Sequence, residues 1–185
     1  MRVFVAFDIP ENIKEKILEL EKEIARITKR IRLTAKPNMH ITVKFLGEQP
    51  SQSVNRIVEI LKGNSEKFDR FRISLNKAGV FKSLENPSVL WLGEFNSIFE
   101  SISNTINKEL EIFRKADNKP FCHLTIGRMK GISKEEIIEA LRVSSDFAKS
   151  NDLSFEVEGF YLYESKLYKK GAEYNKLEKF MFKEK

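Results

Sequence analysis

The sequence predicts a bilobal α+β fold: two pseudo-symmetric, antiparallel-rich sheets with helices on their outer faces and a central cleft between them. Three observations carry this prediction. Apolar and polar residues alternate in several short segments, as in half-buried strands, and apolar residues recur every three or four positions in others, as in amphipathic helices. Both halves of the chain follow the order strand, helix, strand, helix, strand. Each half also carries one copy of a tetrapeptide that begins with histidine.

The first half begins with a strand over residues 2–8, because valine, alanine and phenylalanine fill it and Pro10 follows. A helix over 11–28 comes next, because isoleucine and leucine recur there at spacings of three and four. The same criteria predict three further elements: a strand over 39–46 that Gly47 closes, a helix over about 52–62, and a half-buried strand over 70–77.

The second half follows a predicted joint at 78–88, which contains Gly79 and Pro87. Ser133 and Glu136 form a capping box that starts the last helix. We therefore expect a single two-lobed domain, with pseudo-repeats over about 1–80 and 88–165. The elements predicted here are a strand over 89–92, a helix to about 114, a strand over 121–127, a helix to about 148, a strand over 153–163, a turn at 169–171 and a strand over 174–182.

The two tetrapeptides hold the only two histidines of the chain, and each has a threonine two places later although the chain has just five threonines. Side chains at i and i+2 of a strand point to the same face, so each copy presents an imidazole and a hydroxyl together. We expect the two histidines to meet across the cleft. The copies are His40-Ile41-Thr42-Val43 and His123-Leu124-Thr125-Ile126.

Strict alternation also assigns the neighbouring side chains to faces. Ile41, Val43 and Phe45 fall on the face opposite His40, as Leu124 and Ile126 do opposite His123. Three residues are candidate substrate contacts, each with a structural alternative. Lys44 on the His40 face suits an RNA phosphate or plain solvation, and Phe121 on the His123 face suits base stacking or core packing. Arg128 suits bidentate phosphate binding, although alternation turns it away from His123.

The paired histidines indicate acid/base chemistry. Imidazole has an unperturbed pKa of about 6.5, so one copy can act as general base and the other as general acid near neutral pH. Threonine hydroxyls at fixed distance suit the non-bridging oxygens of a phosphate. This combination fits metal-free cleavage of a phosphodiester. The alternative is two hydrogen-bonded histidines beside threonines that serve strand propensity.

Composition limits the classes of protein. A net charge of +6 and a pI near 9.3 favour a polyanionic partner such as RNA, although lysines spread over solvated helix faces give the same sum. The single cysteine, Cys122, excludes an internal disulfide, and alternation makes it a buried structural thiol. We expect no metal site, no cofactor, no signal peptide or membrane span, and a monomeric protein in the cytoplasm.

Four stretches of the chain resemble the two-histidine phosphoesterases, and within them the RNA 2′,3′-cyclic phosphodiesterases, also called 2′-5′ RNA ligases. The spacing of 83 residues between the histidines (123 − 40) and the Phe-Leu-Gly after the first motif belong to this resemblance. The four stretches are residues 2–8, His40-Ile41-Thr42-Val43-Lys44-Phe45-Leu46-Gly47, Val89-Leu90-Trp91-Leu92-Gly93 and His123-Leu124-Thr125-Ile126-Gly127-Arg128.

The resemblance implies a bilobal α+β fold and hydrolysis of a terminal RNA 2′,3′-cyclic phosphate to a 2′-phosphate, with reversible 2′-5′ ligation as related chemistry. It implies that His40 and His123 are the acid/base pair, with His123 activating water and His40 protonating the 3′ oxygen. Thr42 and Thr125 correspond to the phosphate holders. Two other functions stay open: an RNA-end-binding module without catalysis, and a cyclic phosphodiesterase for small nucleotides such as ADP-ribose cyclic phosphate.

Overall fold

The computed structural model describes residues 1–184 as four α-helices, ten strands and a 3-10 turn at Lys36–Asn38. The helices are α1 (Glu11–Ile27), α2 (Ser51–Ser65), α3 (Ser97–Glu109) and α4 (Lys134–Ser150). The strands are β1 (Arg2–Asp8), β2 (Ile31–Leu33), β3 (His40–Glu48), β4 (Phe71–Ser74), β5 (Lys77–Lys82), β6 (Pro87–Glu94), β7 (Cys122–Met129), β8 (Ser154–Val157), β9 (Gly159–Tyr168) and β10 (Gly171–Met181).

Two four-stranded antiparallel sheets form the frame of the molecule. The first has the strand order β10-β9-β1-β3 and the second has the order β2-β7-β6-β5, while β4 and β8 form a separate pair. Each large sheet takes strands from both halves of the sequence, since β9 pairs with β1 and β2 pairs with β7. Pulling the two sheets apart would therefore stretch the chain connections as well as separate their packed faces.

The helices cover the outer faces and share one core with both sheets. Ile13, Ile17, Leu20 and Ile24 of α1 are fully buried, as their spacing predicted. Buried side chains from all four helices join those of both sheets in one continuous apolar cluster. α4 begins with the predicted capping box of Ser133 and Glu136. None of the helices within residues 1–184 is long and apolar enough to cross a membrane.

Several predicted elements are confirmed within a few residues at their ends: β1, α1, α2, α4, the two motif strands and the C-terminal strand. The helix predicted to reach residue 114 ends at Glu109. Gly47, predicted to close its strand after residue 46, lies within β3, and β7 continues two residues beyond the predicted end at Gly127. β2 has only three residues and is too short for an alternation signal, so the sequence did not indicate it.

Two predicted strands and the predicted joint are wrong in their boundaries. The strand over 70–77 ends at Ser74, and the joint at 78–88 contains most of β5. The strand over 153–163 is two strands, β8 and β9, which are separated at Glu158. In both places the chain changes from one sheet to another while apolar residues keep alternating. Alternation reports which face is buried, and it carries no information on which strand is the partner.

Each motif strand contains a β-bulge at the third residue after its histidine. In β3, Thr42 lies opposite Ala6 and Lys44 lies opposite Val5, so Val43 is the extra residue. In β7, Thr125 lies opposite Trp91 and Gly127 lies opposite Leu90, which makes Ile126 the extra residue. An extra residue shifts the alternation by one and exchanges the faces of all residues that follow until the next irregularity.

Gly127 lies directly after the bulge of β7, and we predict that Gly127→Ala destabilises the protein. An added Cβ would lie 2.5 Å from Ile31 Cγ2 and 3.0 Å from the Arg32 carbonyl oxygen, so β2 would have to move. Overpacking of this kind costs about 1–3 kcal/mol in the free energy of unfolding. Urea denaturation measures the loss.

Gly63→Ala is the matched control, since Gly63 lies in α2 and an added Cβ meets no atom within 4 Å. The control should gain about 0.4–1 kcal/mol through reduced entropy of the unfolded chain. Equal stability of the two variants would contradict the proposed close packing of β2 against β7.

Candidate active site

His40 stands at the start of β3, and its two ring nitrogens have different partners. Nδ1 lies 2.6 Å from the carbonyl oxygen of Asn38, and Nε2 lies 3.0 Å from Thr42 Oγ1. A carbonyl oxygen only accepts hydrogen bonds, so Nδ1 carries the proton and donates it. In the neutral ring Nε2 then accepts from the Thr42 hydroxyl. The lone pair of the ring is therefore at Nε2, where it accepts from Thr42.

His123 repeats this arrangement in β7. Its Nδ1 lies 2.9 Å from the carbonyl oxygen of Phe121, again two residues before the histidine. Since this carbonyl oxygen too can only accept, Nδ1 carries the proton and Nε2 the lone pair. Within residues 1–184, His123 Nε2 has no hydrogen-bond partner, and Thr125 Oγ1 has none either. The second motif thus presents an uncommitted base and an uncommitted hydroxyl.

The two motifs lie next to each other in the folded protein. β3 and β7 belong to different sheets, yet some of their Cα atoms come within 8 Å. A positive charge on His123 would act on His40 and lower its pKa. All four motif side chains are partly buried, so each keeps some surface accessible to solvent: His40, Thr42, His123 and Thr125.

Burial favours the neutral form of both imidazoles. Burial lowers the pKa of His40 from 6.5 to about 4, and the charges of His123 and Arg128 lower it too, while the hydrogen bond to Asn38 opposes the change. Burial likewise lowers the pKa of His123, and Arg128 adds to that effect. Desolvation favours the uncharged form of an imidazole. Bound phosphate would bring negative charge and act in the opposite direction.

An aromatic wall surrounds His40 on the first sheet. The ring centroids of Phe4 and Tyr174 lie 4.9 Å and 5.2 Å from that of His40, and Tyr163 lies 6.2 Å away. Phe4 also stacks on Tyr163 at 5.1 Å. These contacts exclude water from one side of the imidazole and hold its orientation. The sequence did not indicate these residues as site residues, since aromatic residues in strands usually pack in the core.

A second aromatic wall surrounds His123. Phe81 meets its ring edge-to-face at 4.7 Å, and Phe121 stacks at 5.9 Å with an interplanar angle of 12°. Trp91 packs on Phe121 at 4.8 Å and lies flat over Gly79, where an added Cβ would be 2.2 Å from the indole. Phe121 therefore packs beside His123 among other aromatic side chains.

Arg128 is on the same face as His123 and Thr125, which corrects the prediction from strict alternation. The bulge at Ile126 shifts the phase, so that Gly127 turns inward and Arg128 turns outward to the site. The influence of Arg128 on the pKa of both histidines agrees with this position. Its guanidinium is exposed and free to meet an anion.

Lys44 and Phe45 are corrected by the equivalent bulge in β3. Lys44, expected on the His40 face, is 3% exposed and donates from Nζ to Asn107 Oδ1 of α3 at 3.0 Å. It therefore has a structural role on the helix-covered face. Phe45, expected there, is 49% exposed and contacts Phe4 at 5.9 Å. Position five after the histidine is thus phenylalanine in the first motif and arginine in the second.

Cys122 is buried as predicted, and burial raises the pKa of its thiol far above the range in which a thiolate forms. It is a structural residue beside His123. Residues 1–184 contain no group of three or more His, Cys, Asp or Glu side chains close enough to hold a metal ion.

Comparisons with known proteins identify the family of this chain. A family model for LigT-like phosphoesterases matches residues 7–91. The RNA 2′,3′-cyclic phosphodiesterase of Methanocaldococcus jannaschii is 33% identical over 94% of this chain and 96% of the relative. The enzyme of the same name from Archaeoglobus fulgidus is 31% identical over 97% of this chain and 99% of its own. The chain belongs to the LigT-like phosphoesterase family, the two-histidine class that its motifs resemble, and is an enzyme.

Solved structures confirm the α+β fold. TT0787 of Thermus thermophilus superposes with a TM-score of 0.81 at 22% identity, over 98% of this chain and 97% of that one. Escherichia coli LigT complexed with 3′-AMP superposes with a TM-score of 0.76 at 19% identity, over 99% and 98%. These similarities extend over both sheets and all four helices.

We predict that the histidines titrate below their ordinary range. In NMR titrations the His40 ring should stay neutral as the pH falls through 6.5 and should protonate only near pH 4. The unfolded chain takes up this proton first, so acidification from pH 6.5 toward 4 lowers the free energy of unfolding. Added inorganic phosphate should raise the pKa of both rings. Titration of His40 at 6.5 in the folded protein would contradict the buried, aromatic environment.

Proposed function

We propose that this protein hydrolyses the 2′,3′-cyclic phosphate at an RNA terminus to a 2′-phosphomonoester by paired-histidine acid/base catalysis without a metal ion. The observation that carries the proposal is the matched hydrogen bond that Nδ1 of each histidine makes with a backbone carbonyl oxygen. Both donate from Nδ1 to the carbonyl oxygen two residues earlier, at 2.6 Å and 2.9 Å, and both therefore offer Nε2 to the cleft. The names of the curated relatives support the substrate.

The proposed reaction needs one proton taken from water and one given to the departing oxygen. His123 is the base, because its Nε2 is uncommitted while His40 Nε2 is engaged by Thr42. The water oxygen attacks phosphorus as His123 Nε2 removes its proton. The bond from phosphorus to the 3′ oxygen breaks, and protonated His40 donates from Nε2 to that oxygen. A 5′-hydroxyl of a second RNA in place of water would give a 2′-5′ linkage.

Negative charge develops on the non-bridging phosphate oxygens during the reaction, and hydrogen-bond donors directed at these oxygens stabilise it. Thr125 supplies a hydroxyl without another partner in the described chain. The Thr42 hydroxyl donates to neutral His40 Nε2, and protonation of that nitrogen frees it to donate to a phosphate oxygen. Arg128 supplies a guanidinium whose fork matches two phosphate oxygens. Negative charge from the bound phosphate would raise the pKa of His40, so that it enters the reaction protonated.

Phe121 is proposed as the surface for the terminal base. Its ring is stacked beside His123 and extends toward exposed Phe95, with 5.6 Å between the two centroids. Unpaired RNA bases stack on such side chains.

We also propose that the two lobes act as one monomeric, cytoplasmic domain. The exchange of strands between the halves supports the single domain, and a single cysteine suits a reducing compartment.

We predict that His40→Ala and His123→Ala each lower kcat on a nucleoside 2′,3′-cyclic phosphate by about 10² or more, the cost of losing a general acid or base. Chromatographic separation of the 2′- and 3′-phosphate products measures the rate and identifies the broken bond. The assay contains EDTA, which should leave the wild-type rate unchanged. Thr125→Val should also be impaired, whereas its matched control Thr105→Val, on the exposed side of α3, should not.

Three results would refute the proposal. Near wild-type turnover in either histidine variant would remove the paired-histidine mechanism. If wild-type protein released no phosphomonoester from a cyclic phosphate at any pH, the protein would be an RNA-end-binding module without catalysis. Activity on mononucleotides without activity on oligonucleotides would favour a small cyclic nucleotide as the substrate.

The pH dependence of kcat/KM should be bell-shaped, because one imidazole must be neutral while its partner is protonated. The kcat/KM profile reports the pKa values of the free enzyme. Since the pKa values of both histidines are lowered there, the maximum should lie on the acidic side of pH 6.5. The profile of kcat reports the substrate complex, in which phosphate raises both pKa values, and should lie at higher pH. A kcat/KM profile without an acidic limb would contradict the role of a neutral base.

A further inference from the structure

Arg32 of β2 lies directly opposite Arg128 of β7 in the second sheet. Directly opposed residues of an antiparallel pair project from the same face, so both guanidinium groups lie on the face that carries His123 and Thr125. Both side chains are exposed. Like charges in such a pair destabilise the sheet, so their placement calls for a compensating anion.

Within the part of the chain that the structure describes, no carboxylate compensates these two charges. Over residues 1–184, neither Arg32 nor Arg128 has a carboxylate oxygen within 4.0 Å or a side-chain hydrogen bond. Some other arginines do bind a carboxylate, such as Arg142 with Glu139 at 2.7 Å and Arg114 with Asp117 at 2.8 Å. Arg2, Arg26 and Arg56 bind none within residues 1–184, so it is the direct opposition of two unpartnered arginines that distinguishes the Arg32–Arg128 pair. The two arginines beside the site thus stand exposed without such a partner.

Arg128 lies nearer to the reacting centre than Arg32. The charge of Arg128 acts on both histidines, whereas that of Arg32 is not among the charges that shift their pKa values. β2 is the edge strand of its sheet, one strand spacing of about 5 Å beyond β7. Arg128 therefore faces an inner anion position and Arg32 an outer one.

We propose that Arg32 forms a second phosphate subsite, which binds the phosphate on the 5′ oxygen of the nucleoside that carries the cyclic phosphate. This proposal rests on the proposed function. The cyclic phosphate sits on the 2′ and 3′ oxygens of the terminal ribose, so the next anionic group lies across that ribose, on its 5′ oxygen. In RNA this group is the last internucleotide phosphodiester. Arg32 thereby selects RNA ends over nucleosides.

The test compares three substrates: a nucleoside 2′,3′-cyclic phosphate, the same compound with a 5′-phosphate, and a dinucleotide that ends in the cyclic phosphate. Arg32→Ala should lower kcat/KM on the dinucleotide about 10-fold, the effect of losing one charge-assisted contact. On the nucleoside compound the change should stay below about 2-fold. Arg32→Lys keeps the positive charge but loses the paired N–H donors of the guanidinium, so its kcat/KM on the dinucleotide should lie between those of wild type and Arg32→Ala.

Two further variants calibrate the result. Arg56→Ala removes the same charge from the exposed side of α2 and should leave all three substrates unaffected. Arg128→Ala should impair all three, since Arg128 faces the reacting phosphate. Thermal melting should show Arg32→Ala to be at least as stable as wild type, because a repulsive pair has been removed.

Equal losses on the nucleoside and dinucleotide substrates, or no loss on the dinucleotide, would overturn the subsite. If Arg32→Ala lowered kcat/KM only on the 5′-phosphorylated mononucleotide, the assignment to RNA would be overturned. If it lowered kcat/KM on that mononucleotide and on the dinucleotide alike, the result would support a subsite that accepts a phosphodiester.

Binding separates this proposal from the proposed function. By calorimetry, wild-type protein should bind adenosine 2′,5′-bisphosphate about 10-fold more tightly than adenosine 2′-monophosphate, and Arg32→Ala should lose that difference. If the protein hydrolysed no cyclic phosphate but kept this preference, the proposed function would fail and the subsite would stand. Hydrolysis without any 5′-phosphate preference would instead overturn the subsite and leave the proposed function standing.

Discussion

The β-bulges at Val43 and Ile126 are the constraint on which the site depends. Each lies between a motif threonine and the residues that follow it, and each exchanges the faces of those residues. In β7 the exchange brings Arg128 beside His123. In β3 it turns Lys44 into the core. Without the two bulges, the cleft would have a lysine on one side and no arginine on the other.

The electrostatics of the site follow from burial on one side and unpaired charge on the other. Aromatic rings desolvate both imidazoles and keep them neutral, while Arg32 and Arg128 stand exposed without carboxylate partners in the described chain. A phosphate entering this space would meet fixed donors that need little reorganisation, and its charge would favour protonation of one ring.

The exchange of strands between the sequence halves gives the site its rigidity. β9 completes the sheet of β1 and β3, and β2 completes the sheet of β7. The continuous core beneath both sheets then holds the two motif strands at a fixed separation. The two sheets differ in where the motif strand lies: β7 has a neighbouring strand on each side, β2 and β6, whereas β3 is an edge strand. Only the second motif therefore has a neighbouring strand that can contribute Arg32.

The sequence by itself determined the α+β class, most of the elements and the placement of each His/Thr motif on a strand, because periodicity and residue type are local properties. His40 and Thr42 were predictable since two residues of an uninterrupted strand share a face. Arg128, Lys44 and Arg32 were not, because their positions depend on bulges and on strand pairing. Those features are set by which strands meet, and the partner of a strand is fixed only when the whole chain has packed around one core.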